Sequence, residues 1–159
     1  MENIKLRKAT LDDMENVFKL SNDPEVRKVS INKDSIAWED HVKWFTSKID
    51  DTNILFLVAF TDQIPFLGQV RFDFYGNGSD CLISFSMLKS ERGKGYSSGM
   101  IREACNILQN IKNQNLQIIR AYVQPDNILS RKILLKNGFQ QNGDELKYNV
   151  RYDVFIKTI

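Results

Sequence analysis

Hydrophobic residues recur along the chain with two periods, and the change from one period to the other marks the predicted elements. Apolar side chains that recur every three or four positions indicate one face of a helix, and strict alternation with polar residues indicates a strand. A run that is apolar at every position, such as residues 54–60, is typical of a strand covered on both faces. We predict strands at residues 4–8, 54–60, 67–75, 81–88, 117–123, 139–141 and 146–156, and helices at residues 10–21, 35–49, 98–112 and 130–136, with a further helical turn at 25–29.

Capping and turn residues support these boundaries. Thr10 and Ser35 are residue types that cap helix N-termini, and the Asn-Gly pair at 137–138 is typical of a left-handed helix end. The sequences Gly-Asn-Gly at 76–78 and Asn-Gly at 142–143 are turns that join antiparallel strands. The predicted order is β-α-α-β-β-β-α-β-α-β-β, which places a mixed sheet between helices and predicts an α/β fold.

Composition and charge exclude several classes of protein. A chain of 159 residues is long enough for one domain with a substantial core, and we expect residues 1–159 to form a single domain. A net charge of +2 is too small to indicate a nucleic-acid partner. Cys81 and Cys105 lack the spacing of a metal site, so we predict two reduced thiols and no metal. No segment resembles a signal peptide or a membrane span, so we expect no membrane partner and a cytoplasmic protein.

Residues 91–101 connect a predicted strand to a predicted helix through a loop with two glycines. The first N–H groups of a helix have no intrahelical acceptor, and together with the helix dipole they attract an anion such as a pyrophosphate. Gly93 and Gly95 allow the backbone to approach the anion closely, and Arg92 and Lys94 add positive charge. An alternative for the loop alone is a strand-to-helix turn with solvated charges.

Three phosphate-binding patterns compete for this loop. The Rossmann pattern G-x-G-x-x-G requires a glycine where Ser98 stands, and the P-loop string G-x-x-x-x-G-K-[ST] is absent. The third pattern, [Q/R]-x-x-G-x-[G/A], is typical of acyl-CoA binding. It is matched from Arg92 through Gly95, with Ser97 in place of the final small residue.

A second motif lies after the predicted fifth strand. Asn127, Ser130, Gly138 and Phe139 have the spacing N-x-x-S-x-x-x-Y-x-x-x-G-F. With the glycine loop and the order of elements, this motif makes nearly the whole chain similar to the GNAT superfamily of acyl-CoA N-acyltransferases. The resemblance implies a mixed seven-stranded sheet that splits between its fourth and fifth strands and is flanked by helices. It also implies acetyl-CoA as the cosubstrate.

The resemblance also implies roles for particular residues. The pantetheine of acetyl-CoA would lie in the split like an extra strand, paired with backbone groups near Met87 and Leu88 that polarise the thioester carbonyl. Asn127 would bond the cofactor or the separated backbone, and Ser130 would cap the following helix. The pyrophosphate would be bound by backbone N–H groups from Arg92, Gly93, Lys94, Gly95, Tyr96, Ser97 and Ser98.

The N-terminal part of the chain narrows the resemblance. Residues 21–27 and 39–45 are similar to enzymes that acetylate nucleotide-linked amino sugars, as in pseudaminic- or legionaminic-acid pathways, and to ribosomal-protein N-terminal acetyltransferases. The expected partner is therefore a small-molecule amine, with a protein N-terminus as the alternative; a homodimer is left open. The acceptor-binding residues are expected to be Asp23, Arg27, His41, Trp44 and Tyr75.

The predicted reaction is direct attack of a neutral amine on the thioester. Asp73 and His41 are the candidates for the base, although Asp73 also suits an ion pair with Arg71, and His41 lies on the apolar stripe of its helix. Leu134 occupies the position of an acid tyrosine in many members, and Leu82 a position where glutamate is frequent. These two leucines leave a CoA-binding module without catalysis as an alternative function.

Overall fold

The computed structural model of the chain describes residues 3–111 and 115–159. Their strands are β1 (Lys5–Lys8), β2 (Ile54–Phe60), β3 (Gly68–Tyr75), β4 (Asp80–Met87), β5 (Ile118–Val123), β6 (Gln140–Lys147) and β7 (Val150–Thr158). These seven strands form one sheet in the order β1-β2-β3-β4-β5-β7-β6. Its neighbouring strands are antiparallel except β4 and β5, which run parallel, so the predicted mixed sheet and α/β class are confirmed.

Helices cover both faces of the sheet. The two apolar stripes of β2 show this, because Phe56 and Val58 pack in one cluster with the first helices while Leu55 and Leu57 pack in another. A strand buried on both faces is what its unbroken apolar run predicts. The α-helices of the described residues are α1 (Met14–Ser21), α2 (Pro24–Val29), α3 (Trp38–Ile49), α4 (Tyr96–Asn110) and α5 (Ile128–Lys136).

The two clusters assign four of these helices to a face of the sheet. Val17 and Leu20 of α1 and Phe45 of α3 are buried in the cluster that contains Phe56 and Val58. The larger cluster, on the opposite face, contains the apolar stripe of α4 and the buried residues of α5, which are Met100, Ile101, Ala104, Cys105, Leu108, Ile133 and Leu134.

The sheet splits where the parallel strands separate. Within the described residues β4 and β5 pair only at their first positions, from Asp80 opposite Ile118 to Leu82 opposite Arg120. Beyond that point β5 continues to pair with β7, and β4 continues to pair with β3. The predicted split between the fourth and fifth strands is therefore confirmed, and it opens toward the glycine loop at the end of β4.

Some predicted boundaries are wrong for local reasons. Ser130 does not cap α5; Asn127 does, and its side-chain oxygen accepts a hydrogen bond from the Ser130 N–H at 3.3 Å. The cap of α3 is Ala37 rather than Ser35. The helix predicted at residues 98–112 corresponds to α4. Its predicted end near residue 112 lies outside the described residues, and α4 ends at Asn110.

The last hairpin also differs from its prediction. The Asn-Gly pair at 142–143 is an irregularity within β6, where the pairing with β7 shifts register. The turn instead falls at Tyr148 and Asn149, which both adopt left-handed backbone angles, with φ of 51° and 61°. A short turn between two long strands demands this conformation, and asparagine tolerates it better than most residues.

Candidate active site

Two cavities flank the split in the sheet. The loop cavity, of about 460 Å³, adjoins the glycine loop and the start of α5 and is lined by Met87, Arg92 and Ser97 among others. The helix cavity, of about 610 Å³, lies under α2 and α3 and is lined by His41, Trp44 and others. They share the lining residues Val26, Val29, Phe85, Ser86, Asn127 and Ser130, so the cavities meet at the split.

The backbone of the glycine loop has the geometry of an anion site. Gly93 and Gly95 both adopt left-handed angles, with φ of 76° and 85°, and Gly95 is the N-cap of the 15-residue helix α4. Left-handed residues in such a turn direct successive N–H groups toward one concave surface, next to the positive end of the helix dipole. A Cβ atom at Gly93 would meet nothing within 4 Å, so that position requires glycine for its backbone angle rather than for space.

The side chain of Arg92 is directed at protein groups. Its Nε donates to the Met87 carbonyl at 2.9 Å, and its Nη atoms donate to Glu25 at 2.6 Å and to Asp23 at 3.2 Å. Asp23, predicted to bind the acceptor, therefore pairs with the glycine loop and also caps α2 by accepting from the Glu25 N–H at 2.9 Å. Arg92 thus connects the loop cavity to α2 through its charge.

The other side chains of the loop are also engaged with the protein, which leaves the backbone as the part of the loop best placed for an anion. Lys94 Nζ donates to Glu91 at 3.2 Å, Tyr96 is buried in the core, Ser97 Oγ donates to Met87 Sδ at 3.3 Å, and Ser98 Oγ accepts from Asn137 at 3.2 Å.

The backbone of β4 presents hydrogen-bonding groups to the split. Leu88 donates its N–H to the Leu67 carbonyl at 2.8 Å, on the side of β3. Because successive residues of a strand direct their backbone groups to opposite edges, Met87, Phe85 and Ile83 direct theirs toward the split. Of the two residues predicted to lie near the pantetheine, Met87 therefore directs its backbone groups to the split and Leu88 directs its N–H to β3, and the pairing of both with the cofactor stays a prediction.

The floor of the helix cavity is polar and comes from two adjacent strands. Gln69 and Arg71 of β3 stand opposite Ser86 and Ser84 of β4, with all four on one face of the sheet. Gln69 Nε2 donates to Ser86 Oγ at 3.1 Å, while the amide oxygen Oε1 is buried and has no hydrogen-bond partner among the described residues. The floor therefore contains a buried acceptor atom that has no partner among the described residues.

His41 forms part of the wall as a neutral side chain. It is 1% exposed, and its Nε2 lies 2.8 Å from the Met14 carbonyl, to which it must donate because a carbonyl only accepts. Burial lowers the pKa of His41 below its usual value. Its ring packs against those of Phe18, Trp38, Trp44 and Phe45. His41 as base stays a prediction, and any proton it accepted would go to Nδ1.

Arg27 and Trp44, both predicted to contact the acceptor, line the helix cavity. The guanidinium of Arg27 also orders the chain between α2 and α3, because it donates to the Ser21 carbonyl at 2.7 Å and the Asn32 carbonyl at 2.8 Å. The Trp44 ring faces the guanidinium of Arg71, whose carbon lies 5.1 Å from the ring centroid.

Asp73 and Tyr75 lie farther along β3 and line neither cavity. Asp73 accepts from Arg71 Nε at 2.8 Å, which is the ion pair considered from the sequence. The Tyr75 hydroxyl accepts from Arg120 Nε at 3.1 Å. The roles of Asp73 as base and Tyr75 as acceptor ligand stay predictions, and the geometry of the cavities adds no support for them.

Gln69 and Tyr152 line the helix cavity and were both missed by reasoning from the sequence. Tyr152 of β7 lines the helix cavity, is 4% exposed, and has a buried hydroxyl with no hydrogen-bond partner among the described residues. It stands in an alternating strand whose period already explains it as core, so nothing in the sequence set it apart. Leu134, at the position of the family's tyrosine, is fully buried on the other face of the sheet.

These features define a class of protein. A sheet that opens beside a backbone anion site, with a second polar cavity meeting it at the opening, fits a transferase that takes a group from an extended anionic donor. Residues 3–140 match the family model of the acetyltransferase (GNAT) domain, and the chain belongs to that family. It is an acetyl-CoA-dependent N-acetyltransferase.

Solved structures show the same fold. The spermidine N-acetyltransferase of Vibrio cholerae, with CoA and spermine, has a TM-score of 0.87 at 15% identity over 98% of this chain and 95% of that one. The aminoglycoside acetyltransferase AAC(6')-Ib, with ribostamycin and coenzyme A, has a TM-score of 0.86 at 15% identity over 99% and 94%. A putative phosphinothricin N-acetyltransferase has 25% identity and a TM-score of 0.77 over 96% and 95%. No curated protein has significant sequence similarity to this chain.

Two further properties concern the described residues alone. Among residues 3–111 and 115–159, no group of three or more His, Cys, Asp or Glu side chains is arranged to hold a metal ion. None of the helices found there is long and apolar enough to cross a membrane.

Proposed function

We propose that the acceptor is a small primary amine that also carries negative charge, with a nucleotide-linked amino sugar as the best candidate. The charge of the helix cavity is the observation that carries this proposal. Its charged lining residues are Arg27, Arg71 and Asp40, a formal sum of +1. A cavity with this sum favours phosphate or carboxylate groups near the amine.

The same charges argue against a polycationic acceptor. Spermine and ribostamycin, bound in the two similar structures, carry several positive charges. Several carboxylates favour such ligands, whereas this cavity offers one beside two guanidinium groups. At 15% identity those structures support the fold of this chain only. The acceptor is therefore inferred from the residues that line this chain's own cavity.

Trp44 and Arg71 suit a nucleotide in particular. The guanidinium of Arg71 lies over the Trp44 ring, and both residues line the cavity, so the ring supports a planar cation there. Guanidinium groups stack on aromatic faces and bind phosphates through paired hydrogen bonds. Gln69 Oε1, fixed by the bond of its Nε2 to Ser86, is available to orient the N–H of the attacking amine.

The donor site fits acetyl-CoA on two observations. The backbone groups of β4 that face the split can pair with an extended chain, and the left-handed glycines form the anion site for a pyrophosphate. Acetyl-CoA supplies the activated acetyl group and the thiol that leaves. Met87, Gly93, Gly95, Tyr96 and Asn127 would hold it chiefly through the backbone.

The test is release of free thiol from acetyl-CoA with a panel of amines. The panel contains a UDP-linked amino sugar, spermidine, an aminoglycoside and peptides with free N-termini. We expect the nucleotide sugar to give the highest kcat/KM. Faster acetylation of spermidine or the aminoglycoside would refute the anionic acceptor, and faster acetylation of peptides would favour the protein N-terminal alternative. CoA binding without turnover of any amine would favour the module without catalysis.

A charge variant sharpens this test. Replacing Arg71 with glutamine removes one cation, and we expect KM for the nucleotide sugar to rise roughly tenfold, as for one charge-assisted hydrogen bond. KM for acetyl-CoA should not change, because Arg71 lies outside the loop cavity. The control is Lys5→Gln, which removes a half-exposed surface cation paired with Asp62. An equal effect of both variants would point to overall charge rather than the cavity.

A further inference from the structure

We propose that the hydroxyl of Tyr152 donates the proton that the thiolate of coenzyme A takes up as it leaves. In this chain Tyr152 would supply from β7 what a tyrosine in the helix after the fifth strand supplies in many family members. The proposal rests on acetyl transfer itself and is independent of the acceptor class, so a different acceptor would not overturn it.

The first observation is an unsatisfied polar atom. The Tyr152 hydroxyl exposes less than 1 Å² and has no hydrogen-bond partner among the described residues. A buried hydroxyl without a partner is costly, and folded proteins retain few of them. Such an atom is explained when a partner arrives with the substrate.

The second observation is the position of the ring. Tyr152 stands two residues before Val154, which pairs with Tyr122 of β5, so Tyr152 and Tyr122 lie on the same face of the sheet. Their ring centroids are 6.4 Å apart. Tyr152 lines the helix cavity together with Asn127 and Ser130, the two residues from the start of α5 that the cavities share.

The cavity therefore spans the split, with Ser84 and Ser86 of β4 on one side and Tyr152 on the other. With the donor in the loop cavity and the acceptor in the helix cavity, as proposed above, the reacting thioester lies at this junction. A proton donor on the β5 and β7 side stands across the split from the floor that holds the amine.

No other side chain that lines the helix cavity fits the role as well. Leu134 lies on the other face of the sheet and has no proton to give. His41 is neutral, because burial lowers its pKa, and its one N–H is held by Met14. Tyr152 is the one phenol among the lining residues described for the two cavities, and a phenol is far closer in acidity to a thiol than the hydroxyl of Ser130 is.

The proton and electron count is complete. The amine nitrogen forms a bond to the carbonyl carbon of the thioester, and the carbon–sulfur bond breaks with its electron pair on sulfur. Tyr152 gives its proton to that sulfur, so free coenzyme A leaves as the thiol. The nitrogen loses one proton to solvent, and the phenolate of Tyr152 takes one proton from solvent. The products are the N-acetyl amine and coenzyme A.

The first test is Tyr152→Phe, which removes the hydroxyl and keeps the ring. We expect kcat to fall about 100-fold or more, the range for loss of a positioned acid, with KM for acetyl-CoA changed less than about twofold. Without ligands, Tm should equal or exceed that of the wild type, because an unpartnered buried hydroxyl has been removed. The matched control is Tyr122→Phe, on the same face and outside both cavities, whose kcat should not change.

Two results would overturn the proposal. One is a kcat for Tyr152→Phe within about threefold of the wild type. The other is a lower Tm with a matching loss of CoA binding, which would show that the hydroxyl supports the fold.

A second variant separates acid catalysis from packing. A fluorinated tyrosine placed at 152 keeps the ring nearly unchanged and lowers the pKa of its hydroxyl. We expect the alkaline limb of the kcat profile to move to lower pH with it. A limb at the same pH as in the wild type would overturn the proposal.

Discussion

The loop cavity and the helix cavity recognise their ligands by different means. The loop cavity is organised around backbone groups at the end of β4 and the start of α4, where two left-handed glycines set the geometry. The helix cavity is lined by side chains from α2, α3, β3, β4 and β7, which are far apart in the sequence. A ligand shared by a whole family can be held by main-chain geometry, whereas a ligand particular to one member requires particular side chains.

The two cavities are nevertheless joined through α2. Val26 and Val29 line both, and Arg92 of the glycine loop bonds Asp23 and Glu25 at the start of that helix. A change on the donor side can therefore reach the acceptor side through one short helix. The following variants test whether the loop cavity binds its ligand through the backbone independently of the side chains that line the helix cavity.

Among the variants that compare the two cavities, the largest effect is expected for Gly95→Val. A β-branched residue with φ of 85° is strained, and the change distorts the first N–H groups of α4. We expect the Kd for CoA to rise at least 30-fold, or about 2 kcal/mol, with the fold retained. Calorimetric titration with CoA measures this loss.

The matched control is Gly143→Val. Gly143 also has a left-handed angle, with φ of 76°, but it lies in the irregular part of β6, and a Cβ there would meet nothing within 4 Å. Both variants should lose about 1–2 kcal/mol of unfolding free energy from backbone strain. Only Gly95→Val should weaken the binding of CoA. Equal CoA affinity in the two variants would remove the anion site from the loop.

A smaller effect is expected for the link between the cavities. In a double-mutant cycle of Arg92→Gln and Asp23→Asn, we expect a coupling of about 1–2 kcal/mol in the unfolding free energy, since both side chains are largely buried. Asparagine keeps the N-cap of α2, so the cycle isolates the charge. Chemical denaturation of the four proteins measures it.

The same variants test how the loop cavity holds its anion. Because the guanidinium of Arg92 is directed at carboxylates, Arg92→Gln should change the Kd for CoA less than about threefold. A loss as large as that of Gly95→Val would show that the guanidinium turns to the phosphates on binding. The backbone would then not be the main recognition element.

The fold followed from the sequence because its signals are local. Strand and helix periods indicated the order of elements, and two glycines at the end of a strand predicted the anion loop, whose glycines have left-handed backbone angles in the structure. The wrong boundaries lie where tertiary interactions override the preference of a short local sequence. The Asn-Gly pair at 142–143 is a stronger turn sequence than residues 148–149, yet the long pairing of β6 with β7 puts the turn at the latter. Asn127 and Ser130 are both residue types that cap helices, and they lie three positions apart. In the structure the helix begins directly after Asn127.

The acceptor site could not be predicted in the same way. Arg92 bonds Asp23, which lies 69 positions earlier in the sequence, and no sequence pattern around either residue predicts this pair. Tyr152 and Gln69 are set apart by one buried polar atom each that has no hydrogen-bond partner among the described residues, and that depends on the packing of neighbours. Asp73 and His41 were chosen by residue type. The structure places the first outside both cavities and the second in an aromatic cluster.

The smallest effect concerns His41 and the pH dependence of stability. Its pKa in the folded state is lowered, so the unfolded chain binds more protons near the ordinary histidine pKa of about 6.5. The stability contributed by neutral His41 is then fully present above that pH and is lost as the pH falls toward the folded-state pKa. His41 is the only histidine of the chain, so no second imidazole contributes to this window.

His41→Gln, which keeps an N–H donor for the Met14 carbonyl, should flatten the decline of unfolding free energy between about pH 7 and 5. Denaturation at a series of pH values measures the slope. Asp13 does not contribute to this slope. The pKa of its carboxyl is lowered in the folded state, so the stability that it contributes is lost only at still lower pH. If the variant kept the wild-type slope, the pKa of His41 would be the same in the folded and unfolded chains. Its imidazole would then take up a proton on the acid side of that pKa, and the helix cavity would gain a third positive charge there.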